Sequence, residues 1–349
     1  MSIETMIPVK PSQAEGILYN SLKANEPVCF VGASGIGKSD IVSKVARRLT
    51  WRCLILHPVV TDPTDWRGLP IMTVNGAEFS AYGDLRLMVN ATEPLVVFID
   101  DLGQASNAVQ AAVMQLVLAR QVNGQPISEH VRFVAATNAR THRAGVMGLL
   151  DPLKKRFLMI YLKPDLTDWQ VWAAENGISP KVIAYLALMA VKSEHYFFNE
   201  EPTQDMSVNA SPRGWARVSR HLALGHSTDV LPAVFGGCVG KECGGGFAAF
   251  LRIYDSMVSP DVVLADPDKA PIPSEPSSLW ALCSALAYRV TPATVGNYCK
   301  YLQRLIDGKR EYAMLSIKLM VSRDPSLQQG KDYIDAASGP LGKLMLQGK

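Results

Sequence analysis

Missing from this 349-residue chain is any stretch of the roughly 18 uncharged apolar residues that a membrane-crossing helix requires. Its opening residues, MSIETMIPVKPSQAEG, have neither the basic lead nor the apolar run of an export signal, so a cytoplasmic protein without a membrane partner is expected. Charge of one sign is also scarce. The formal net charge of +3 is too small to announce a nucleic-acid partner unless folding gathers Lys and Arg on one face. Cysteine is sparse and scattered, and six thiols in a chain without an export signal read as packing groups, not as a disulfide framework. Cys238 and Cys243 lie close together, but among glycines and without a neighbouring His or second Cys pair, which leaves a zinc ion short of ligands.

What the chain does have is an ordinary balance, 48% hydrophobic and 19% charged, which excludes disorder throughout. Its length suits one large domain with a smaller companion. Val28–Val31 is a short apolar run ending at Gly32, with an amphipathic stretch from Ser39 to Leu49 behind it. Further apolar runs at 53–56, 95–99, 131–136 and 157–162 read as strands, and 106–120 has helical spacing. Strands alternating with helices predict an α/β fold, a parallel sheet covered by helices with its ligand beyond the C-terminal strand ends. Asn75-Gly76 and Asn123-Gly124 are hairpin signals, predicted to project as contact elements.

Beyond residue 163 the strand signals fade and helical patterns take over. The expected division is a nucleotide-binding domain over 1–163, a helical lid over 164–258, a Pro/Asp-rich linker or loop over 259–278 and a helical extension with a loose tail over 279–349. Gly236 to Gly246 reads as a break between helices, since it lacks the lysine and the preceding strand of a phosphate loop.

The chemistry concentrates in Gly32-Ala33-Ser34-Gly35-Ile36-Gly37-Lys38-Ser39, which closes a predicted strand and, running on into Asp40, opens a predicted helix. Glycines let backbone N–H groups turn inward around phosphates, and the helix start adds its positive end. In this pattern Lys38 lies along the outer phosphates and the Ser39 hydroxyl ligates Mg²⁺, so Mg-ATP is the expected cofactor. Asp100 closes the strand 95–99 as the second magnesium anchor, and Asp101 beside it can polarise the attacking water.

These residues, with Asn138 after the fourth strand, resemble those of an AAA+ ATPase with its Walker A, Walker B and sensor motifs. Within that class IDDLGQASNAVQAAVMQLVLARQV and Ser211-Pro212-Arg213 resemble the Walker B region and sensor 2 of the MoxR-like family, over roughly residues 15 to 225. The resemblance implies that Asn138 orients the water as sensor 1, that Arg213 reaches a phosphate, and that Arg156 is an arginine finger serving a neighbouring subunit. Lys155, Arg140 and Arg143 remain rivals for that last role. A homo-oligomeric ring follows, a hexamer by the family's habit, with a client or adaptor protein as partner, sometimes one carrying a von Willebrand factor A domain. One departure stands out: the family's usual Asp-Glu is Asp100-Asp101 here, one methylene shorter at the residue that activates water. The expected function is ATP-driven remodelling of a protein. The alternatives are a nucleic-acid motor or loader whose hairpins touch DNA, and a nucleotide-dependent switch with slow turnover.

Overall fold

A computed structural model describes residues 6–74, 76–138, 148–190, 193–201, 206–256 and 258–342. The chain forms two compact units, Met1–Asp165 and Leu166–Lys349. In the first, strand β1 (Pro8–Val9) precedes helix α1 (Pro11–Lys23), and β2 (Val28–Gly32) precedes α2 (Lys38–Arg48). Next come β3 (Arg52–Leu56), the short helix α3 (Thr64–Arg67), the antiparallel pair β4 (Leu69–Thr73) and β5 (Gly76–Ser80), then α4 (Gly83–Val89) and β6 (Leu95–Ile99). Helix α5 (Asn107–Ala119), the ribbon β7 (Gln121–Val122) and β8 (Gln125–Pro126), β9 (Val131–Asn138), α6 (Asp151–Lys154) and β10 (Leu158–Leu162) complete the unit.

Six strands form one parallel sheet in the order β1-β10-β2-β9-β6-β3, flanked by helices as in AAA+ P-loop domains. Every run predicted as a strand lies in it. The unpredicted member, β1, is a two-residue edge strand, too short for any periodicity to show. The central strands β2 and β6 are buried along their whole length, which is why they read as unbroken apolar runs. Helix α2 covers the sheet with Ile41, Val42, Val45 and Ala46, the one-turn spacing of an amphipathic helix.

The sheet order decides where the loops meet. Strand β9 lies between β2 and β6, with Asn138 opposite Gly32 and Ala135 opposite Ile99. It therefore runs three residues past the β6 pairing and carries Asn138 up beside the loops that leave β2 and β6.

Both predicted hairpins form. Thr73 pairs with Gly76 in the first, and Asn75 between them in sequence lies outside the described residues. Leu69, Ile71, Met72, Val74 and Phe79 are all exposed on this hairpin. The second turn has positive φ at Asn123 (44°) and Gly124 (90°), the type I′ geometry that this dipeptide favours. It does not project freely, because the Asn123 amide donates to the Arg67 carbonyl.

The second unit, in its described residues, is helical: α7 (Leu166–Glu175), α8 (Pro180–Ala190), α9 (Pro212–Ala223), α10 (Leu231–Val239) and α11 (Lys241–Ser256), then α12 (Pro260–Ala265), α13 (Pro276–Arg289), α14 (Val295–Gln303), α15 (Ile306–Arg323) and α16 (Lys331–Ala337). Its buried apolar side chains form one cluster from Trp169 to Leu341. One reading of the sequence holds here, the break between helices in the glycine run, and two change. The Pro/Asp-rich stretch 259–278 is a loop only over 266–275: Ser259 caps α12, Pro260 sits in its first turn, and Val263, Leu264 and Ala270 are buried. The glycine run breaks only at Gly240 (φ 90°), while Gly244 lets α11 approach α10 so closely that a Cβ there would lie 2.3 Å from the Gly236 nitrogen. The stretch after Asp324 is held by Leu327, Tyr333 and Leu341, all buried.

Among the described residues no helix is long and apolar enough to cross a membrane.

Candidate nucleotide site

The loop from Gly32 to Gly37 is shaped by its glycines. Gly35 and Gly37 have positive φ (77° and 96°), a backbone state that lets successive N–H groups converge on an anion. Gly32 is glycine for a different reason: a Cβ there would lie 2.6 Å from the Leu162 carbonyl oxygen of β10. Ala33 and Ile36 are buried and anchor the loop, Ser34 is exposed, and Asp40 is exposed in the first turn of α2, where a carboxylate complements the helix's positive end.

Lys38 is buried by the packing around it, with only 7% of its surface exposed. Its ammonium donates to the carbonyl oxygens of Gly32 (3.0 Å) and Ala33 (2.8 Å) and to Oδ1 of Asn138 (2.9 Å). A buried charge needs such partners, and here they hold the cation beneath the loop it serves. Burial pushes the nearby Cys29 thiol up to about 12 despite the opposing pull of Lys38.

The acidic side of the site is built at the end of β6. The Asp100 N–H donates to the Leu56 carbonyl at 2.9 Å, continuing the pairing with β3, and then Asp101 turns the chain with a left-handed backbone (φ 57°, ψ 32°). The Ser39 hydroxyl donates to Oδ2 of Asp100 at 2.9 Å, and the Asp101 N–H donates to Oδ1 of the same carboxylate at 3.0 Å. The Asn138 amide donates to Oδ1 of Asp101 at 3.0 Å. Lys38, Asn138, Asp101, Asp100 and Ser39 thus form one hydrogen-bonded chain across the C-terminal edge of the sheet. The adjoining hydroxyl and carboxylate oxygens of Ser39 and Asp100 are hard donors of the kind Mg²⁺ takes, so the donor set fits that ion.

Arg156 is elsewhere. It is exposed just ahead of β10, whose Leu158 pairs with Val28, the residue that begins β2. The phosphate loop begins where β2 ends, about 13 Å further along the strand at roughly 3.3 Å per residue. Lys155 is exposed in the same turn, Lys154 is paired with Asp151 at 2.7 Å, and Arg140 and Arg143 lie outside the described residues. Arg213 belongs to the second unit, exposed in the first turn of α9, where the Ser211 hydroxyl caps the helix by accepting the Gly214 N–H at 3.1 Å.

Two further residues matter that the motifs did not reveal. Gly103 packs against β9 so tightly that a Cβ would lie 2.1 Å from Oγ1 of Thr137. Gln110 on α5 is wholly buried and bonds to Ala105, Gly148 and Leu150. Its signal was available: a polar residue on the apolar stripe of α5, one and two turns ahead of Val113 and Val117.

Residues 27–157 match the family model described as an AAA domain of the dynein-related subfamily. No curated protein is a significant sequence match. Among solved structures the chain is similar to a putative ATPase from Cytophaga hutchinsonii, at 18% identity and a TM-score of 0.34, over 45% of this chain and 47% of the other, under half of that protein's length. It is also similar to a lysine-to-arginine mutant of Thermotoga maritima RuvB, at 18% identity and a TM-score of 0.39 over 84% of this chain and 87% of that one. A second Thermotoga maritima structure, described as the RuvB Holliday junction branch migration motor, matches at 16% identity and a TM-score of 0.35, over 84% and 86%. Likenesses at this level say nothing of function. The family match and the sheet with its phosphate loop together make residues 27–157 a domain of the AAA+ class.

Proposed function

We propose that this chain is an ATPase of the MoxR-like type that assembles into a homo-oligomeric ring and spends Mg-ATP to remodel a protein partner. The observation that carries the reading is the hydrogen-bonded chain from Lys38 through Asn138, Asp101 and Asp100 to Ser39. In this reading the cation serves the phosphates, the two oxygens serve magnesium, and the carboxylate with its amide serves the attacking water. Bound Mg²⁺ would supply charge neutralisation at the β and γ phosphates, and Ser39 and Asp100 are the residues that would hold it.

Asp101 would accept a proton from water, and Asn138 would fix the direction of that carboxylate. The short side chain of Asp101 sets it back from the position a Glu would reach, which keeps slow turnover open as a property of this site. Arg156, ahead of β10 at the N-terminal edge of the sheet, lies at the end away from its own subunit's phosphate loop, and a finger supplied to a neighbour is the use this position supports. The resemblance adds Arg213 as a phosphate contact, to be tested by the nucleotide affinity of Arg213→Ala.

The exposed apolar side chains of Ile71, Met72 and Val74 favour a protein client over a nucleic acid, since a hairpin that tracks phosphates needs Lys or Arg. ATP turnover measured against protein concentration tests the whole reading. Specific activity should rise as subunits assemble, vanish in Lys38→Ala and fall about 10³-fold in Arg156→Ala. Activity independent of concentration would remove the ring, and DNA-stimulated turnover with a steep salt dependence would favour the nucleic-acid motor. Undetectable turnover, restored by Asp101→Glu, would point to the switch.

A further inference from the structure

The arginine that serves a neighbour must itself be aimed, and the short helix before it has little to aim it. Helix α6 is four residues long, and Leu153 is its buried side chain. The chain that leads into it is fastened from another element. Gln110 of α5, with no exposed surface, donates from Nε2 to the carbonyl oxygens of Ala105 (3.1 Å) and Gly148 (3.0 Å), and its Oε1 accepts the Leu150 N–H at 3.0 Å. A buried amide with both donors and its acceptor engaged is a rigid joint, because breaking any one bond strands a polar group out of water.

The joint has a defined partner at each end. On one side, the Gln104 N–H donates to the Asp101 carbonyl at 2.9 Å and the Ala105 N–H to that of Leu102 at 3.2 Å, forming the turn whose Ala105 oxygen Gln110 holds. On the other, the N–H groups of Leu153 and Lys154 donate to the Leu150 carbonyl at 3.0 and 3.2 Å, and the Arg156 N–H donates to the Leu153 carbonyl at 2.9 Å. A continuous path of short bonds therefore runs from the backbone of Asp101 through Gln110 to the backbone of Arg156.

We infer that Gln110 is a positioning residue for Arg156: it fixes the entry to α6 against the turn after Asp101 and so sets where the finger points. The inference rests on the proposed role of Arg156 in a neighbouring subunit's site. Gln110 touches no reacting atom, and its substitution leaves Lys38, Ser39 and Asp100 with their own partners. The defect belongs to the neighbour's site.

Mixed rings separate that effect from a general loss of structure. Gln110→Ala should bind a fluorescent ATP analogue within about twofold of the natural protein yet turn over about 10²-fold more slowly, the usual effect of a displacement of about 1 Å at a reacting centre. Mixed with Asp101→Asn, whose own site is inactive but whose finger is intact, it should recover turnover well above the sum of the two alone, as should Arg156→Ala. Leu150→Pro covers the case in which Gln110→Ala does not fold. It removes the N–H that Gln110 accepts, together with part of the half-buried Leu150 side chain, at a residue whose φ of −59° suits proline, and should be rescued in the same way. Rescue of Arg156→Ala without rescue of either of the others, or full turnover of Gln110→Ala alone, overturns the inference and leaves the proposed function standing. Failure to rescue Arg156→Ala overturns the ring reading, and the inference with it.

Discussion

Asn138 donates its side-chain amide to the Asp101 carboxylate at 3.0 Å, while its own carbonyl accepts the Lys38 ammonium at 2.9 Å. The cation proposed to hold phosphate and the carboxylate proposed to polarise water are thus tied to one amide at the last residue of β9. Any change at Asn138 is felt on both sides.

Replacing Asn138 separates orientation from binding. Asn138→Ala should lower the turnover number by about 10²-fold, the scale of general acid–base positioning, with a smaller change in KM. Asn138→Asp should be worse, since it sets a second carboxylate against Asp101. Steady-state ATPase kinetics check both, and an unchanged turnover number in Asn138→Ala would remove it from the machinery.

Removal of magnesium tests the Ser39–Asp100 pair. With EDTA present the natural protein should lose ATP affinity by at least about 10-fold, whereas Ser39→Ala, with one oxygen gone, should show a flattened dependence on Mg²⁺. Nucleotide titrations at several Mg²⁺ concentrations would read this directly. Equal Mg²⁺ dependence in the two proteins would move the ion elsewhere.

Gly103→Ala is a test of packing. The added Cβ would fall 2.1 Å from Oγ1 and 3.3 Å from Cβ of Thr137, so this side chain, next to Asn138 on β9, must turn or shift. A cost of about 1–3 kcal/mol is expected, seen as a lower urea midpoint with an unchanged slope. Turnover should fall with it.

The exposed hairpin should behave in the opposite way. Met72 is 82% exposed and Val74 is fully so, and Asp at either position should change stability by no more than about 0.5 kcal/mol. Basal ATP turnover should be retained while binding to the protein partner is lost. Loss of basal turnover would show instead that the hairpin takes part in assembly.

How legible the protein was depends on distance along the chain. The phosphate loop declared itself because its parts are contiguous: a strand, two glycines with positive φ, a lysine and a serine at the start of a helix. The strands 28–32 and 95–99 were legible because both their faces are buried, which leaves an unbroken apolar run. The partners of Gln110 were not, since one polar residue on an apolar stripe gives no hint that it will meet the Gly148 carbonyl and the Leu150 N–H, 38 and 40 positions away. Proline misled at 260–265, where Pro260 opens a helix instead of forbidding one.

By itself, then, the sequence determined the local chemistry: a Walker-type loop, a strand ending in two aspartates, and the turns whose glycines and asparagines require positive φ. Only the tertiary structure decided that β9 lies between β2 and β6, and this order brings Asn138 to both Lys38 and Asp101 while Arg156 stays at the opposite edge of the sheet. The reason is physical: φ and ψ preferences and hydrophobic periodicity act over a few residues, whereas strand order is chosen by the packing of the whole core.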